Sequence, residues 1–248
     1  MRSIIRYLIP FGILVIWRKV YREIIRLISN YILVYRLNKY SKLNEILKLQ
    51  LGCGKGLFDD WFNTDRTSKN NVSFLDVTLP FPIKDNYFDY IYSEHLIEHL
   101  EYHEGIHMIQ ECYRVLKPGG RIRIATPDLQ FLINLCNHKK TPIEKLEIKR
   151  IVDCYYSDIN IYDYGFVINN FFYNWEHKFI FNFNILKEII SSNGFVNIVR
   201  CKVGESNDKN LQFIESHGDI IGDKHNELQT FVIEAIKPID ISNKDLFD

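Results

Sequence analysis

The apolar positions at the start of the chain form a run that two residues interrupt. Residues 7–17 are mostly apolar, but Pro10 and Gly12 fall within them. A helix needs ~20 consecutive apolar residues to span a bilayer, and this run is shorter. Arg18 and Lys19 follow it in place of the small residues of a cleavage site, so we expect no secretory signal peptide.

From about residue 18 the apolar positions take helical spacing, and basic residues recur beside them. Arg18, Arg22 and Arg26 are four positions apart and share one side of the predicted helix. Residues 1–40 contain eight basic residues against Glu23 alone, a net charge of +7 in a chain of formal net charge +0. This basic amphipathic extension fits an anionic membrane surface, at the inner face of the cytoplasmic membrane. A helix that packs on the domain with its charges in water is the alternative.

Beyond the extension, short apolar strands alternate with helical segments. Helical spacing covers residues 94–116 and residues 183–192. The first of these segments is followed by the Pro-Gly-Gly turn of residues 118–120. The alternation predicts an α/β fold with a Rossmann-like, doubly wound, mostly parallel seven-stranded sheet. The predicted strands span residues 46–51, 61–64, 72–77, 88–93, 121–126, 195–203 and 228–236.

Residues 129–182 interrupt this alternation and are rich in aromatic side chains. We expect a helical and aromatic insertion that covers the ligand end of the sheet. For most of these rings, the core of an irregular subdomain is the simpler interpretation. The predicted organisation is a basic extension at 1–40, a main domain at 41–240 that contains the insertion, and a tail at 241–248.

Composition narrows the class of protein. The chain is 46% hydrophobic and 14% aromatic, enough to build a core, so global disorder is not expected. Its five cysteines form no C-x-x-C pair, which argues against a disulfide framework or a cysteine-rich zinc cluster and favours reduced thiols in the cytoplasm. The balanced net charge gives no reason to expect a nucleic-acid ligand.

A glycine-rich turn follows the first predicted strand. Gly52, Cys53, Gly54 and Gly56 lie where ligands bind in open α/β sheets, beyond the carboxyl ends of the strands. Glycine lets the chain turn tightly and lets a ligand approach the backbone. The pattern is G-x-G-x-G, which is a weak signal by itself.

Asp65, at the end of the second predicted strand, strengthens this signal. Its carboxylate can accept hydrogen bonds from both hydroxyls of a ribose. The link from the glycines is short, so the first crossover helix is expected to be reduced to a turn. Asp76 could accept from an adenine amino group, with Val77 beside the ring. A turn residue or a salt-bridge partner of Arg66 is the alternative for Asp65.

Histidines follow the fourth predicted strand. His95, Glu98 and His99 share one face of the expected helix and also match H-x-x-E-H, the inverted zinc-protease motif. A short motif arises often by chance, and no downstream ligand stands out. A zinc hydrolase is therefore the weaker interpretation, and we assign no metal ligands.

Several segments resemble, in order, the motifs of class I S-adenosylmethionine-dependent methyltransferases. These are residues 49–54, 76–91, 93–99 and 114–120. Residues 61–65, 177–179 and 204–206 are further similar to the predicted methyltransferases often found in bacterial surface-polysaccharide gene clusters. The resemblance covers roughly residues 46–237.

The resemblance implies S-adenosylmethionine as cofactor and a role for each site residue. The turn of Gly52, Cys53, Gly54 and Gly56 would shape the methionine and ribose end. Asp65 would bind the ribose, Asp76 and Val77 the adenine, and Ser93 with His95 would line the cleft.

Methyl transfer requires nucleophile, methyl carbon and sulfur in line, and such positioning can contribute ~7–11 kcal/mol. A base helps if the acceptor is a sugar hydroxyl, as the polysaccharide association suggests. His95, His99 and His177 are the candidates, with Asp128 behind them; a structural role for His99 and Glu98 is the alternative. A membrane-tethered scaffold that binds the cofactor without catalysis is the competing function.

Overall fold

The computed structural model describes residues 11–239, without the side chains of residues 11–16, 18 and 22. The start of the apolar run, the side chains of Arg18 and Arg22, and the tail at 241–248 lie outside the described residues. Seven strands form one sheet. They are β1 Lys48–Leu51, β2 Phe62–Asp65, β3 Ser73–Phe74, β4 Phe88–Glu94, β5 Leu116–Pro127, β6 Val196–Cys201 and β7 Thr230–Ile236.

The strand order is β3-β2-β1-β4-β5-β7-β6. β1 to β5 run parallel, and β7 lies antiparallel between β5 and β6. The predicted Rossmann-like, mostly parallel sheet is therefore confirmed. The direction of the crossovers reverses between β1 and β4, which places a ligand site at the carboxyl ends of these two strands.

The loop that contains Leu211 and Ile214 covers one face of the sheet, and helices pack against the other face and beyond the strand ends. They are α1 Phe11–Ser41, α2 Tyr102–Val115, α3 Leu129–Asn134, α4 Pro142–Tyr155, α5 Tyr164–Asn169, α6 Phe183–Ser192, α7 Gly218–Ile221 and α8 Asp223–Gln229. α6 has the predicted bounds, and Asn182 caps it by accepting a hydrogen bond from the Ile185 N–H at 2.9 Å.

The core lies where the central strands meet α2 and α6. All four residues of β1 are buried, as expected for a strand covered on both faces. α2 contributes Met108, Ile109 and Cys112 to this core, and α6 contributes Leu186 and Ile190. Their burial holds the strand ends, and the loops that follow them, in fixed positions.

The prediction of one helix over residues 94–116 is wrong. β4 continues through Glu94, and His95 adopts a left-handed backbone with φ of 48°. One 3₁₀ turn, Ile97–His99, precedes α2, which starts only at Tyr102. Hydrogen bonds from distant residues to the Glu94 and Glu98 side chains favour this irregular path, and helical periodicity does not register them.

Two further differences concern the sheet. The third strand is only Ser73–Phe74 rather than 72–77, because the Asp76 carboxylate accepts from the Thr78 N–H and turns the chain. The fifth strand is longer than predicted and spans Leu116–Pro127. Between β1 and β2 the chain forms only turns, as the short link predicts.

The aromatic residues of the insertion at 129–182 are partly core. Phe131 and Phe171 are buried in a second cluster with Leu135, Ile151 and Val152. Other rings of the insertion lie at the surface or line a cavity described below, so both sequence interpretations apply to different members.

The carboxyl-terminal part of α1 packs on the domain. Leu33 and Leu37 are buried in the main core, and the Arg36 guanidinium donates to the carbonyl of Val72 at 2.9 Å. Within the described residues, no helix is both long and apolar enough to cross a bilayer.

Candidate active site

The glycine loop, residues 52–56, turns directly after β1. Gly52 and Gly54 have φ of 62° and 53°, a left-handed backbone that glycine adopts without steric cost. A Cβ at Gly52 would lie 2.8 Å from the Leu96 side chain, whereas a Cβ at Gly54 would meet nothing within 4 Å. Gly54 is therefore the position of the loop that leaves open space for a ligand.

The space beside Gly56 is occupied by the side chain of Ser216. A Cβ there would lie 2.9 Å from Oγ of Ser216. The Glu94 carboxylate fixes this neighbour by accepting from the N–H groups of Ser216 and His217 at 3.0 to 3.1 Å and from the Ser216 hydroxyl at 3.0 Å. Sequence reasoning missed Glu94 and Ser216, because their contact joins segments far apart in the chain.

Asp65 ties the glycine loop to the end of β2. Its Oδ2 accepts from the Gly54 N–H at 3.0 Å, and its Oδ1 accepts from the N–H and hydroxyl of Thr67, both at 2.8 Å. Burial would raise the pKa of Asp65, but these hydrogen bonds lower it below its ordinary value. The carboxylate is ionised and lies at the glycine of the loop that has open space, where each oxygen retains acceptor capacity.

The alternative partner of Asp65, Arg66, instead lies 3.9 Å from Oδ2 of Asp76. Asp76 also bonds Thr78, and Val77 beside it is buried in the main core. These positions leave the adenine roles of Asp76 and Val77 as predictions.

Two other predicted cofactor residues are buried. Cys53 donates its N–H to the Thr64 carbonyl at 3.0 Å, and burial raises the pKa of its thiol to about 11, so the thiol is protonated at neutral pH. Ser93, paired in register with Leu51, has a buried hydroxyl with no hydrogen-bond partner among the described residues. The cofactor role of Ser93 stays a prediction.

His95 is held by a carboxylate. Its Nδ1 lies 3.0 Å from Oε1 of the fully buried Glu98, and Oε2 of Glu98 accepts from the Thr126 hydroxyl at 3.0 Å. Burial would raise the pKa of Glu98, but its interactions with His95 lower it, so the carboxylate is ionised. Nδ1 is therefore the donor, and Nε2 faces Thr230 at 3.5 Å.

The fold brings His177 to His99. Their ring centroids are 4.9 Å apart, and the Glu98 carbonyl accepts from the N–H groups of Lys178 and Phe179 at 2.7 and 3.1 Å. Ligand atoms of Glu98, His99 and His177 all lie within 4.8 Å of one another. Burial lowers the pKa of His177, which is neutral at pH 7.

A cavity of ≈ 530 Å³ opens beside these residues at the carboxyl ends of β4 and β5. We call it the histidine cavity. Because Leu96 packs on Gly52 while His95 lines the cavity, the cavity and the glycine loop flank the same short segment. Its walls include four histidines, three aromatic residues and two amides: His95, His99, His177, His217, Tyr155, Phe171, Trp175, Asn174 and Gln229.

His217 and Gln229 are members that sequence reasoning missed. The His217 ring lies 4.0 Å from that of His95, and burial lowers the pKa of His217 to about 3, so it is neutral. The buried Oε1 of Gln229 has no hydrogen-bond partner within the described part of the chain. Neither residue belongs to a local motif, so only the fold reveals them.

Asp128 does not stand behind the histidines as expected. Its Oδ2 accepts from the Arg200 guanidinium at 2.7 Å, and its Oδ1 accepts from the Gln130 N–H at 2.9 Å to cap α3. The structure gives the supporting role to Glu98. His95, Glu98 and His99 also share no helical face, since His95 precedes the 3₁₀ turn.

Comparison with known families adds an independent observation. Residues 62–124, which run from β2 into β5, match a family model described as "Methyltransferase domain". This segment carries a methyltransferase domain signature. The match supports the enzyme class that the sequence predicts, and it includes the end of β4 with His95, Glu98 and His99. No curated protein matches the chain.

Solved structures similar to this chain include an S-adenosylmethionine-dependent methyltransferase from Archaeoglobus fulgidus. It is 19% identical, with 84% of this chain and 94% of that chain covered and a TM-score of 0.47. A possible histamine N-methyltransferase from Thermotoga maritima is 16% identical, with coverages of 89% and 97% and a TM-score of 0.45.

Proposed function

We propose that this methyltransferase, which uses S-adenosylmethionine, methylates a hydroxyl group of a sugar or glycan intermediate of the bacterial cell envelope. The observation that carries the proposal is His95, oriented by the buried Glu98 and placed between the glycine loop and the histidine cavity. The cofactor would lie on one side of the residues after β4 and the acceptor on the other.

The glycine-loop side suits an adenosyl group. Gly54 provides open space, and the Asp65 carboxylate beside it can accept from ribose hydroxyls. The unpartnered hydroxyl of Ser93 supplies a further polar contact at the switch point.

The chemistry of the histidine cavity supports a sugar as acceptor. Tyr155 and Trp175 offer rings against which the apolar face of a pyranose can stack. Gln229 adds an acceptor that lacks a partner, and Asn174 adds an amide. An apolar wall with a few convergent polar groups is typical of small-molecule sites. The envelope glycan is favoured by the sequence resemblance described above.

The transfer would be an in-line displacement at the methyl carbon that is bonded to the sulfonium sulfur of the cofactor. The acceptor oxygen would form the new C–O bond as the methyl C–S bond breaks, and S-adenosylhomocysteine would leave. His95 is placed to accept the hydroxyl proton at Nε2, because its Nδ1 proton is directed at Glu98.

Binding and transfer assays test this function. We expect calorimetry to show S-adenosylhomocysteine binding, and radiolabelled methyl groups to enter nucleotide sugars or lipid-linked glycans. The His95→Ala variant should retain S-adenosylhomocysteine binding and lose 10²-fold or more of its turnover. His103→Ala, an exposed histidine of α2, is the matched control and should behave as the unsubstituted protein. Binding without transfer to any glycan fraction would favour the non-catalytic scaffold.

We also propose that α1 holds the enzyme at an anionic membrane surface. Six exposed aromatic or aliphatic side chains recur at alternating intervals of four and three residues, which places them on one helical face. Leu33 and Leu37 lie on the opposite face, against the domain, so the exposed stripe points away from it. Lys19 adds positive charge, whereas Arg26 is paired with Glu23 at 2.6 Å. The α1 stripe consists of Trp17, Tyr21, Ile24, Ile28, Tyr31 and Tyr35.

A further inference from the structure

We propose that Glu98, His99 and His177 form a binding site for a divalent transition-metal cation at the wall of the histidine cavity. Two imidazoles and one carboxylate form a donor set found in catalytic zinc sites, which keep a fourth position open. The assignment of the site depends only on these side chains. The role given to the cation below rests on the proposed function.

The three ligand atoms are close to the spacing that a cation requires. They lie within 4.8 Å of one another. In a tetrahedral zinc site with bonds of about 2.0–2.2 Å, ligand atoms are separated by about 3.4 Å. Nδ1 of His177 is buried without a hydrogen-bond partner, and the hydrogen bond between its ring and the Phe171 backbone leaves this nitrogen available. Small adjustments of the His99 and His177 side chains can therefore close the difference in spacing.

The backbone around the site is already fixed. The Glu98 carbonyl accepts from Lys178 and Phe179, so the residue directly before Lys178 is held beside the 3₁₀ turn that carries His99. This pairing explains how two histidines from separate parts of the chain come to one place. No downstream ligand for the H-x-x-E-H pattern stands out in the sequence, and the fold brings His177 to it.

Glu98 is oriented as metal-binding carboxylates are. Thr126 and His95 each hold one of its oxygens at 3.0 Å, and each oxygen retains a second lone pair. Outer hydrogen bonds of this kind orient the ligands of metal sites. A carboxylate with no exposed surface and no Lys or Arg partner among the described residues carries a negative charge that a cation would balance.

The site differs from that of inverted zinc proteases. In those enzymes both histidines of H-x-x-E-H bind the metal, whereas here His95 is engaged with the glutamate and His177 takes the second imidazole position. Imidazole and carboxylate donors suit Zn²⁺, Co²⁺ or Mn²⁺ rather than Ca²⁺.

On the proposed function, the cation would bind the acceptor hydroxyl at its open position. It would lower the pKa of that hydroxyl and fix its oxygen for in-line attack, and His95 would receive the proton. A pair of vicinal sugar hydroxyls could bind together, which would select acceptors that carry a diol.

Cobalt titration of the full chain tests the site without relying on activity. Protein stripped with a chelator is titrated with Co²⁺, and ligand-field absorption bands report the coordination, with Zn²⁺ expected to displace Co²⁺ at one equivalent. We expect His177→Ala and His99→Ala to weaken Co²⁺ binding at least tenfold while circular dichroism and the melting temperature stay close to those of the unsubstituted protein. Glu98→Gln, which keeps the shape of the side chain, should weaken binding similarly.

His103→Ala is the matched control and should bind Co²⁺ with unchanged affinity. Co²⁺ binding that survives in His177→Ala, or that falls equally in His103→Ala, would overturn the site. Intact Co²⁺ binding in a protein that transfers no methyl group would support the site and overturn the proposed function. Full methyl transfer after metal removal would overturn the role given to the cation.

Discussion

The carboxylate of Asp65 is the side chain that connects the glycine loop to the neighbouring strand. The sequence suggests its location because it ends a predicted strand soon after the glycines. Its bonds to Gly54 and Thr67 are local enough to anticipate. The contacts of Gly52 with Leu96 and of Gly56 with Ser216 are not, since they depend on where loops from other strands settle.

Replacing Asp65 by Asn tests its role at the residue scale. The amide nitrogen would face either the Gly54 or the Thr67 N–H group, and the negative charge would be lost. We expect the dissociation constant of S-adenosylhomocysteine, measured by calorimetry, to rise at least tenfold. Asp163→Asn is the control, because Asp163 also accepts from a backbone N–H, that of Gly165, at the start of α5. An equal effect of the two substitutions would contradict a ligand role for Asp65.

Gly54 allows a second test at this scale. Ala at a left-handed position costs about 1–2 kcal/mol, while no atom lies within 4 Å of the added methyl group. Gly54→Ala should therefore lower the free energy of unfolding slightly and S-adenosylhomocysteine affinity strongly. Gly119→Ala carries the same backbone strain, with φ of 80°, at the start of β5 and away from the strand carboxyl ends. It should change stability alone, as urea titration and calorimetry would show.

At the scale of elements, periodicity predicts those parts whose contacts repeat. α6 follows its amphipathic pattern residue by residue, and the strands of the central sheet were found with errors of a few residues. Helical periodicity fails to predict the segment after β4, because Glu94 binds Ser216 and Glu98 binds His95 and Thr126. Polar side chains with distant partners override a local preference for helix.

Glu111 joins α2 to the turn before β4. Its carboxylate accepts from the Phe81 N–H at 2.6 Å and from the Arg114 guanidinium at 2.7 and 2.9 Å. Burial would raise the pKa of Glu111, but Arg114 and Phe81 lower it below the ordinary value of 4.5. A lowered folded-state pKa means that this stabilisation is present above the unfolded-state pKa and is lost as pH falls through the folded-state value.

Glu111→Gln should remove that dependence. We expect its free energy of unfolding to be about 1–3 kcal/mol lower at pH 7, as for hydrogen bonds to charged groups. The difference from the unsubstituted protein should shrink below pH 4.5. Chemical denaturation between pH 3 and 7 measures both quantities, with the exposed Glu188→Gln as control. A difference that persists unchanged at pH 3 would contradict the assignment.

At the scale of the molecule, the alternation of strands and helices predicts the fold class because each buried parallel strand leaves an apolar run in the sequence. The position of His177 against His99 cannot be obtained this way, as it depends on how the insertion folds back on the 3₁₀ turn. The division of the insertion into core and cavity wall is equally a property of the whole fold.

The membrane proposal belongs to this scale. Substituting Trp17, Ile24 and Ile28 by Ser removes apolar area from the α1 stripe and leaves the contacts of Leu33 and Leu37 intact. We expect sedimentation with phosphatidylglycerol vesicles to fall at least tenfold, and binding of the unsubstituted protein to weaken with salt. Ser at Leu146 and Ile133, exposed residues outside α1, is the control. Equal sedimentation of all three proteins would contradict the proposal. A triple substitution that changes only the self-association of the protein, and not its sedimentation with vesicles, would contradict it too.

The place of β7 between β5 and β6 has a consequence for biosynthesis. Residues 230–236 are the last of the seven strands to leave the ribosome, yet β5 and β6 meet only through them. Until that segment emerges, the nascent chain exposes the unpaired edge of β5, and β6 has no strand to pair with. Unpaired strand edges can pair with strands of other chains and cause aggregation. A polypeptide truncated before residue 230 should therefore depend on chaperones, whereas one that includes residues 230–236 should not.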